Sequence, residues 1–278
     1  MTPLARAFSL LVLALALAAP AAAQKFEPQV GQAGKDVIWV PTPDEVVDRM
    51  LTMAQVGPND FVIDLGAGDG KIAIAAAKKF GARAMGVEFN PDMVKLGNEN
   101  AKAAGVAGTG AGKAFIRHGD IFATDFSQAT VVTMYLLPGL NMKLRPTLLS
   151  MRPGTRIVSH SFNMEDWEPD EISSLDGRRA YFWVVPAGVQ GSWSLDAAGQ
   201  KSEISFEQVF QRIGGHVSIG TLHAGLREAR LRGFNIAFAY VDAAGVRREF
   251  TGRVANGRME GSFRDDKGGE GRWTATKR

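Results

Sequence analysis

Residues 61 to 65 read Phe-Val-Ile-Asp-Leu, an apolar run with almost no alternation. A strand covered on both faces needs that pattern. Comparable short runs recur at 82–88, 114–118, 129–137 and 154–162. Between them the apolar period lengthens to that of a helix. Val46, Val47, Met50 and Leu51 repeat at helical spacing after Thr42-Pro43-Asp44-Glu45, which predicts a helix capped by Thr42 with acids at its positive end. Further helices are predicted over 71–80, 91–104 and 140–149. Strands alternating with helices imply right-handed crossovers and an open, mostly parallel α/β sheet. The run 179–185, with a partner near 168–173, has no helix before it and predicts an antiparallel edge hairpin.

From Gly191 the pattern changes to short segments rich in β-branched and aromatic residues, punctuated by Gly, Asn-Gly and Asp/Gly clusters. Phe234, Ile236, Phe238 and Tyr240 alternate, as on a one-sided sheet. Such spacing predicts a small antiparallel sandwich or barrel. The segments are not periodic enough to be repeats.

The first 23 residues carry one charge, Arg6, then an apolar stretch from Phe8 to Ala19 and a small-residue site at Pro20-Ala21-Ala22-Ala23-Gln24. This is the grammar of a secretory signal, with an uncleaved membrane anchor as the alternative. The expected organisation is therefore signal 1–23, linker 24–37, α/β domain 38–188 and β domain 189–278. An exported or periplasmic protein without a membrane span after signal removal follows. The chain has no cysteine, which excludes thiol chemistry and disulfides. Residues 24–188 hold 17 basic and 19 acidic side chains, net −2, and 189–278 hold 14 and 10, net +4. That imbalance is too small to indicate nucleic acid.

The chemistry concentrates in Asp64-Leu65-Gly66-Ala67-Gly68-Asp69-Gly70, where a strand turns into a helix. Gly66, Gly68 and Gly70 let the backbone approach a ligand, and helix-start N–H groups are expected to face it. The spacing D-x-G-x-G-x-G differs from the dinucleotide fingerprint, which ends G-x-x-G. Glu88 ends the next strand about 20 residues on, where a carboxylate offers two acceptors to a ribose diol.

Together these residues resemble the class I S-adenosylmethionine methyltransferases, a Rossmann-like fold. The resemblance implies S-adenosyl-L-methionine as cofactor, Asp64 near its amino-acid part, and Asp120 with Ile121 at the adenine. It narrows further. "VPTP" (40–43), "DLGAGDGKI" (64–72), "GVEFNP" (86–91), "ATVVTMYLLPGLN" (129–141) and "PGTRIVSHSF" (153–162), followed by Trp167, are similar in content and order to a small protein-lysine methyltransferase family. That family includes broad-specificity archaeal enzymes and a mitochondrial enzyme acting on an ATP synthase subunit. The implied partner is a protein substrate, with no nucleic acid.

On that resemblance, Tyr135, Leu136 and Pro138 are the candidate catalytic residues, forming a wall and slot for the incoming amine. Pro41 and Thr42 either close over the cofactor or serve only the helix start. Ser159 and His160 are candidate edge residues, and His118 reads as a strand residue. The four histidines share no metal-ligand spacing. Trp193 and Trp273 read as core rather than carbohydrate platforms. An exported, non-catalytic scaffold that retains the methyltransferase fold is the alternative reading.

Overall fold

The computed structural model describes residues 26–278, so the predicted signal segment lies outside the described residues. The first sheet contains β1 (Phe61–Leu65), β2 (Arg83–Glu88), β3 (Ala114–His118), β4 (Val131–Met134), β5 (Arg156–His160), β6 (Glu171–Leu175) and β7 (Arg178–Val184). Their order is β3-β2-β1-β4-β5-β7-β6, and β7 alone runs opposite to the other six. The helices are α1 (Asp44–Met53), α2 (Lys71–Phe80), α3 (Pro91–Ala103) and α4 (Pro138–Leu149). The expected mixed α/β sheet with an antiparallel edge is therefore present.

The apolar runs are unbroken because each strand feeds two cores. Val62, Ala84, Val131 and Val158 pack with Val47 and Met50 of α1 and Ala73 and Ala76 of α2. Ile63, Leu65, Val132 and Ile157 face the other way, onto Leu144 and Leu148 of α4 and the buried Trp167. Burying an aliphatic side chain contributes roughly 1.5–3 kcal/mol, so the two layers fix the strand order and with it the β1 exit.

Helix starts follow local chemistry. Asn90 Oδ1 accepts from the Asp92 and Met93 N–H groups at 2.9 and 3.3 Å, with Pro91 opening α3. Thr42 does not cap α1. Pro43 occupies the N-cap, so the Thr42 hydroxyl stands one residue too early and instead pairs with His160 Nδ1 at 3.1 Å.

The second sheet runs through β8 (Gly191–Ala197), β9 (Gln200–Val209), β10 (Arg212–Ile219), β11 (Leu222–Gly225), β12 (Arg227–Arg232), β13 (Asn235–Val241), β14 (Arg247–Ala255), β15 (Arg258–Asp265) and β16 (Glu270–Lys277). Every pairing is antiparallel, in the order β11-β10-β9-β8-β16-β15-β14-β13-β12, and β10 curls back against β12 to nearly close a barrel. Trp193 and Trp273 are buried in its core with Phe206, Phe238 and Phe250, which removes any exposed face for sugar stacking. The β9–β10 tip docks on the first domain. Phe210 stacks on Trp167 with centroids 6.1 Å apart, and Gln211 Oε1 accepts from the Trp167 indole N–H at 3.0 Å.

Candidate active site

Gly66, Gly68 and Gly70 have φ of +77°, +55° and +82°, a region that side chains disfavour. Their roles differ. A Cβ at Gly68 would lie 2.6 Å from the Trp39 indole nitrogen, on the side of the loop facing a cavity. A Cβ at Gly70 would lie 2.9 Å from Ile116 and 3.4 Å from Gly97. Gly70 therefore lets α2 approach β3 and α3, and it does not line the cavity, contrary to its expected place at the ligand.

The loop amides also differ from expectation. The Gly66 and Ala67 N–H groups donate to Val87 O at 2.9 and 3.0 Å, and Gly70 N–H donates to Ala67 O at 2.9 Å. Gly68 N–H donates to Glu88 Oε2 at 2.8 Å, and Lys71 N–H to Asp69 Oδ1 at 3.2 Å. A phosphate cradle needs such groups free. Here they are satisfied within the protein. Five acids (Asp36, Asp64, Asp69, Glu88, Asp120) against two lysines (Lys35, Lys71) line the cavity, a formal −3. That field repels phosphate and suits a cationic ligand.

The cavity holds about 300 Å³. It gathers Pro41, Thr42, Asp64, Gly66, Gly68, Glu88, Asp120, Ile121, Tyr135 and Leu136 from separate segments. Pro138 is not among its walls. It opens α4, while Leu137 and Leu140 on either side face the cavity. Ser159 and His160 are buried beneath the wall rather than at its edge. His118 ends β3, exposed, with Nε2 2.9 Å from Phe89 O.

Several lining residues carried no sequence signal strong enough to single them out, among them Lys35, Trp39, Phe89, Asp69 and Phe162. The stretch read as a linker supplies Lys35, and Trp39 follows just past its end. Gly31 N–H donates to Trp39 O at 2.8 Å and Trp39 N–H to Gln32 O at 2.9 Å, folding 31–39 into a short hairpin over the cavity. A polar, Gly/Gln-bearing composition reads as linker by itself. Only the cavity gives it something to pack on.

Electrostatics divide the cavity. At one end Glu88 is held by two backbone donors, Gly68 N–H on Oε2 and Asn90 N–H on Oε1, each at 2.8 Å. Each oxygen keeps a lone pair for a hydroxyl, so the carboxylate fits a vicinal diol. At the floor Asp64 is 2% exposed and accepts from the Thr133 hydroxyl at 2.7 Å. Burial pushes its carboxyl up to about 7, and the Thr133 hydrogen bond opposes that rise. Burial likewise raises Asp69.

The opposite wall is aromatic and apolar. Tyr135 lies against Phe162 with ring centroids 6.3 Å apart and against His160 at 4.0 Å. Burial, with a smaller push from Arg178, lowers His160 to about 4, so its imidazole is neutral at physiological pH. Asn141 Nδ2 braces the segment beneath by donating to Ser159 Oγ, Phe162 O and Asn163 O, each at 3.2 Å.

A carboxylate with free acceptor positions, an acidic floor and an adjoining apolar wall meet at the exits of β1, β2 and β4. The profile of the ANTKMT methyltransferase domain matches residues 64–171. A protein-lysine N-methyltransferase of Saccharolobus islandicus is 45% identical over 155 residues, covering 54% of this chain and 94% of that one. The chain belongs to the methyltransferase family of that archaeal enzyme. A lysine N-methyltransferase of Mus musculus, named for an ATP synthase subunit, is 31% identical over 169 residues, 59% of this chain and 65% of that one. A crystal structure from Salinibacter ruber, described as an RNA methyltransferase in complex with S-adenosyl-L-homocysteine, superposes with a TM-score of 0.51 at 50% identity, covering 54% of this chain and 96% of that one.

The protein is thus an S-adenosylmethionine-dependent methyltransferase with a β domain outside the matched segment 64–171. S-adenosylmethionine supplies a methyl group already activated by a sulfonium, so this family's protein has mainly to align and desolvate. The residues fit that demand: the lining is anionic, an apolar wall adjoins it, and Glu88 has acceptors to spare.

Proposed function

We propose that the chain methylates the side-chain amine of lysine in a protein substrate. The observation that carries this reading is the 45% identity to the archaeal protein-lysine enzyme over 94% of its length. In this reading Glu88 holds the ribose hydroxyls and Asp64 faces the cationic amino-acid part of the cofactor. Ile121 and Asp120 border the adenine, and Pro41 and Thr42 close the approach. The acceptor enters along Tyr135, Leu136, Leu137 and Phe162. A lysine must be neutral to attack, and an apolar slot lowers its pKa by disfavouring the ammonium. Leu136 and the exposed Leu137 supply that surface. His160, kept neutral, backs the Tyr135 ring without adding charge.

A second reading takes RNA as the acceptor, favoured by the description of the Salinibacter relative. The five acids around the cavity weigh against a phosphate backbone. Incubation with methyl-tritiated S-adenosylmethionine and separate protein and RNA fractions decides between them. Label recovered as methyl-lysine after protein hydrolysis supports the first reading. Label confined to RNA overturns it. The signal-like segment 1–23 adds export to the proposal. A C-terminal reporter that fluoresces only after cytoplasmic folding should stay dark on the exported chain, and bright cells would rule export out.

A further inference from the structure

Asp120 borders the cavity just beyond the end of β3, and its carboxylate is engaged. Oδ1 accepts from Phe122 N–H at 2.9 Å, and Oδ2 lies 2.6 Å from Lys35 Nζ. The same ammonium sits 4.8 Å from the centroid of the Phe89 ring, with Asp36 3.9 Å away. Lys35, Phe89 and Asp120 all line the cavity. A carboxylate and an aromatic face are also what a purine uses: its exocyclic amine donates to the acid and its ring stacks on the arene. The lysine fills both roles at once, by ion pairing and by cation–π contact.

We propose that Lys35 is a tethered competitor for the nucleobase of the cofactor. It rests on the reading of this cavity as the S-adenosylmethionine site. The hairpin 31–39 delivers the ammonium to Asp120 and Phe89 in the free protein, and the base displaces it on binding. The contact is built to yield. Both side chains of the pair remain about one-third exposed, 37% and 29%, so water and salt screen it. The hairpin is closed by its own backbone bonds at Gly31, Trp39 and Gly34, so releasing Lys35 does not require it to unfold. Displacement frees Lys35 while Trp39 stays against Gly68.

Titration calorimetry with S-adenosylhomocysteine tests this on the full chain. Lys35→Met keeps the alkyl stem and removes the charge. It should bind about two- to five-fold tighter at low salt, the range an exposed ion pair supports. Wild-type affinity should approach that of the variant as salt screens the pair, and Lys35→Met should gain nothing once Asp120→Asn is present. Trypsin should cut after Lys35 faster when S-adenosylhomocysteine is bound. Equal or weaker binding by Lys35→Met, or protection of Lys35 from trypsin by the ligand, overturns the competitor role while leaving the cofactor site standing. Absence of heat from wild type and Lys35→Met alike overturns the cofactor reading and the competitor with it.

Discussion

At the scale of single residues, two carboxylates with similar sequence prominence do different work. Glu88 is gripped by the Gly68 and Asn90 N–H groups and presents what remains of its lone pairs. Glu88→Gln should weaken S-adenosylhomocysteine binding about ten-fold, and Glu88→Ala by on the order of a hundred-fold, since a hydrogen bond to a charged group contributes roughly 1.5–3 kcal/mol. Calorimetry on the folded variants reads both. Asp64 is a buried acid whose proton is retained until about pH 7. Its folded-state pKa lies above the ordinary 3.8, so the native state binds the extra proton between about pH 4 and 7, and stability falls as pH climbs through that window. At 1.36 kcal/mol per pH unit the cost above pH 7 is about 4 kcal/mol. Asp64→Asn should therefore raise Tm at pH 8 and flatten its pH dependence in thermal melts. On the proposed placement of the cofactor, the same variant should lose cofactor affinity, because the cationic ligand would pair with the ionised acid. In the wild type that pairing should make binding strengthen as pH rises through 7 and release protons, measurable as buffer-dependent heats.

At the scale of elements, the glycine turn has two jobs that the sequence pattern merges. Gly68 admits the Trp39 indole on the cavity side of the loop, and Gly70 lets α2 settle onto Ile116 and Gly97. Gly70→Ala meets both a φ of +82° and a 2.9 Å contact, so it should cost about 1–3 kcal/mol in denaturant melts. Its S-adenosylhomocysteine affinity at low temperature should change little. The glycine and carboxylate positions of this site were legible early because only certain residues suit that loop. The aromatic wall was less so. Tyr135, Phe162 and His160 come from the ends of neighbouring strands, and β4–β5 pairing alone brings them to within stacking distance. Thr42 misled for a related reason: its hydroxyl had a plausible local partner, but a strand end 118 residues away held it instead.

At the scale of the whole molecule, the β barrel bears on the methyltransferase core through the β9–β10 tip. Phe210 covers Trp167, Gln211 holds its indole, and Arg212 pairs with Glu168. Trp167 in turn carries Trp183, whose indole N–H donates to Trp167 O at 2.8 Å. Phe210→Ala removes the aromatic lid from this stack and should cost about 2–4 kcal/mol, as large-to-small changes at partly buried aromatics do. Calorimetric scans should then resolve separate transitions for the two domains, against a single transition expected of the wild type. A single transition with unchanged midpoint would mean the tip contributes nothing to their coupling.

The sequence by itself determined the order of strands and helices, the switch to an all-β region after Gly191, the glycine turn after β1 and the carboxylate that ends β2. Each depends on hydrophobic period or on a conformation that few residue types tolerate, and both are written locally. The tertiary structure decided which glycines line the cavity, where the loop amides spend their hydrogen bonds, and that residues 31–39 fold onto the site. It also decided that Lys35 meets Asp120. Those outcomes depend on distances between residues far apart in the chain, which no local pattern encodes.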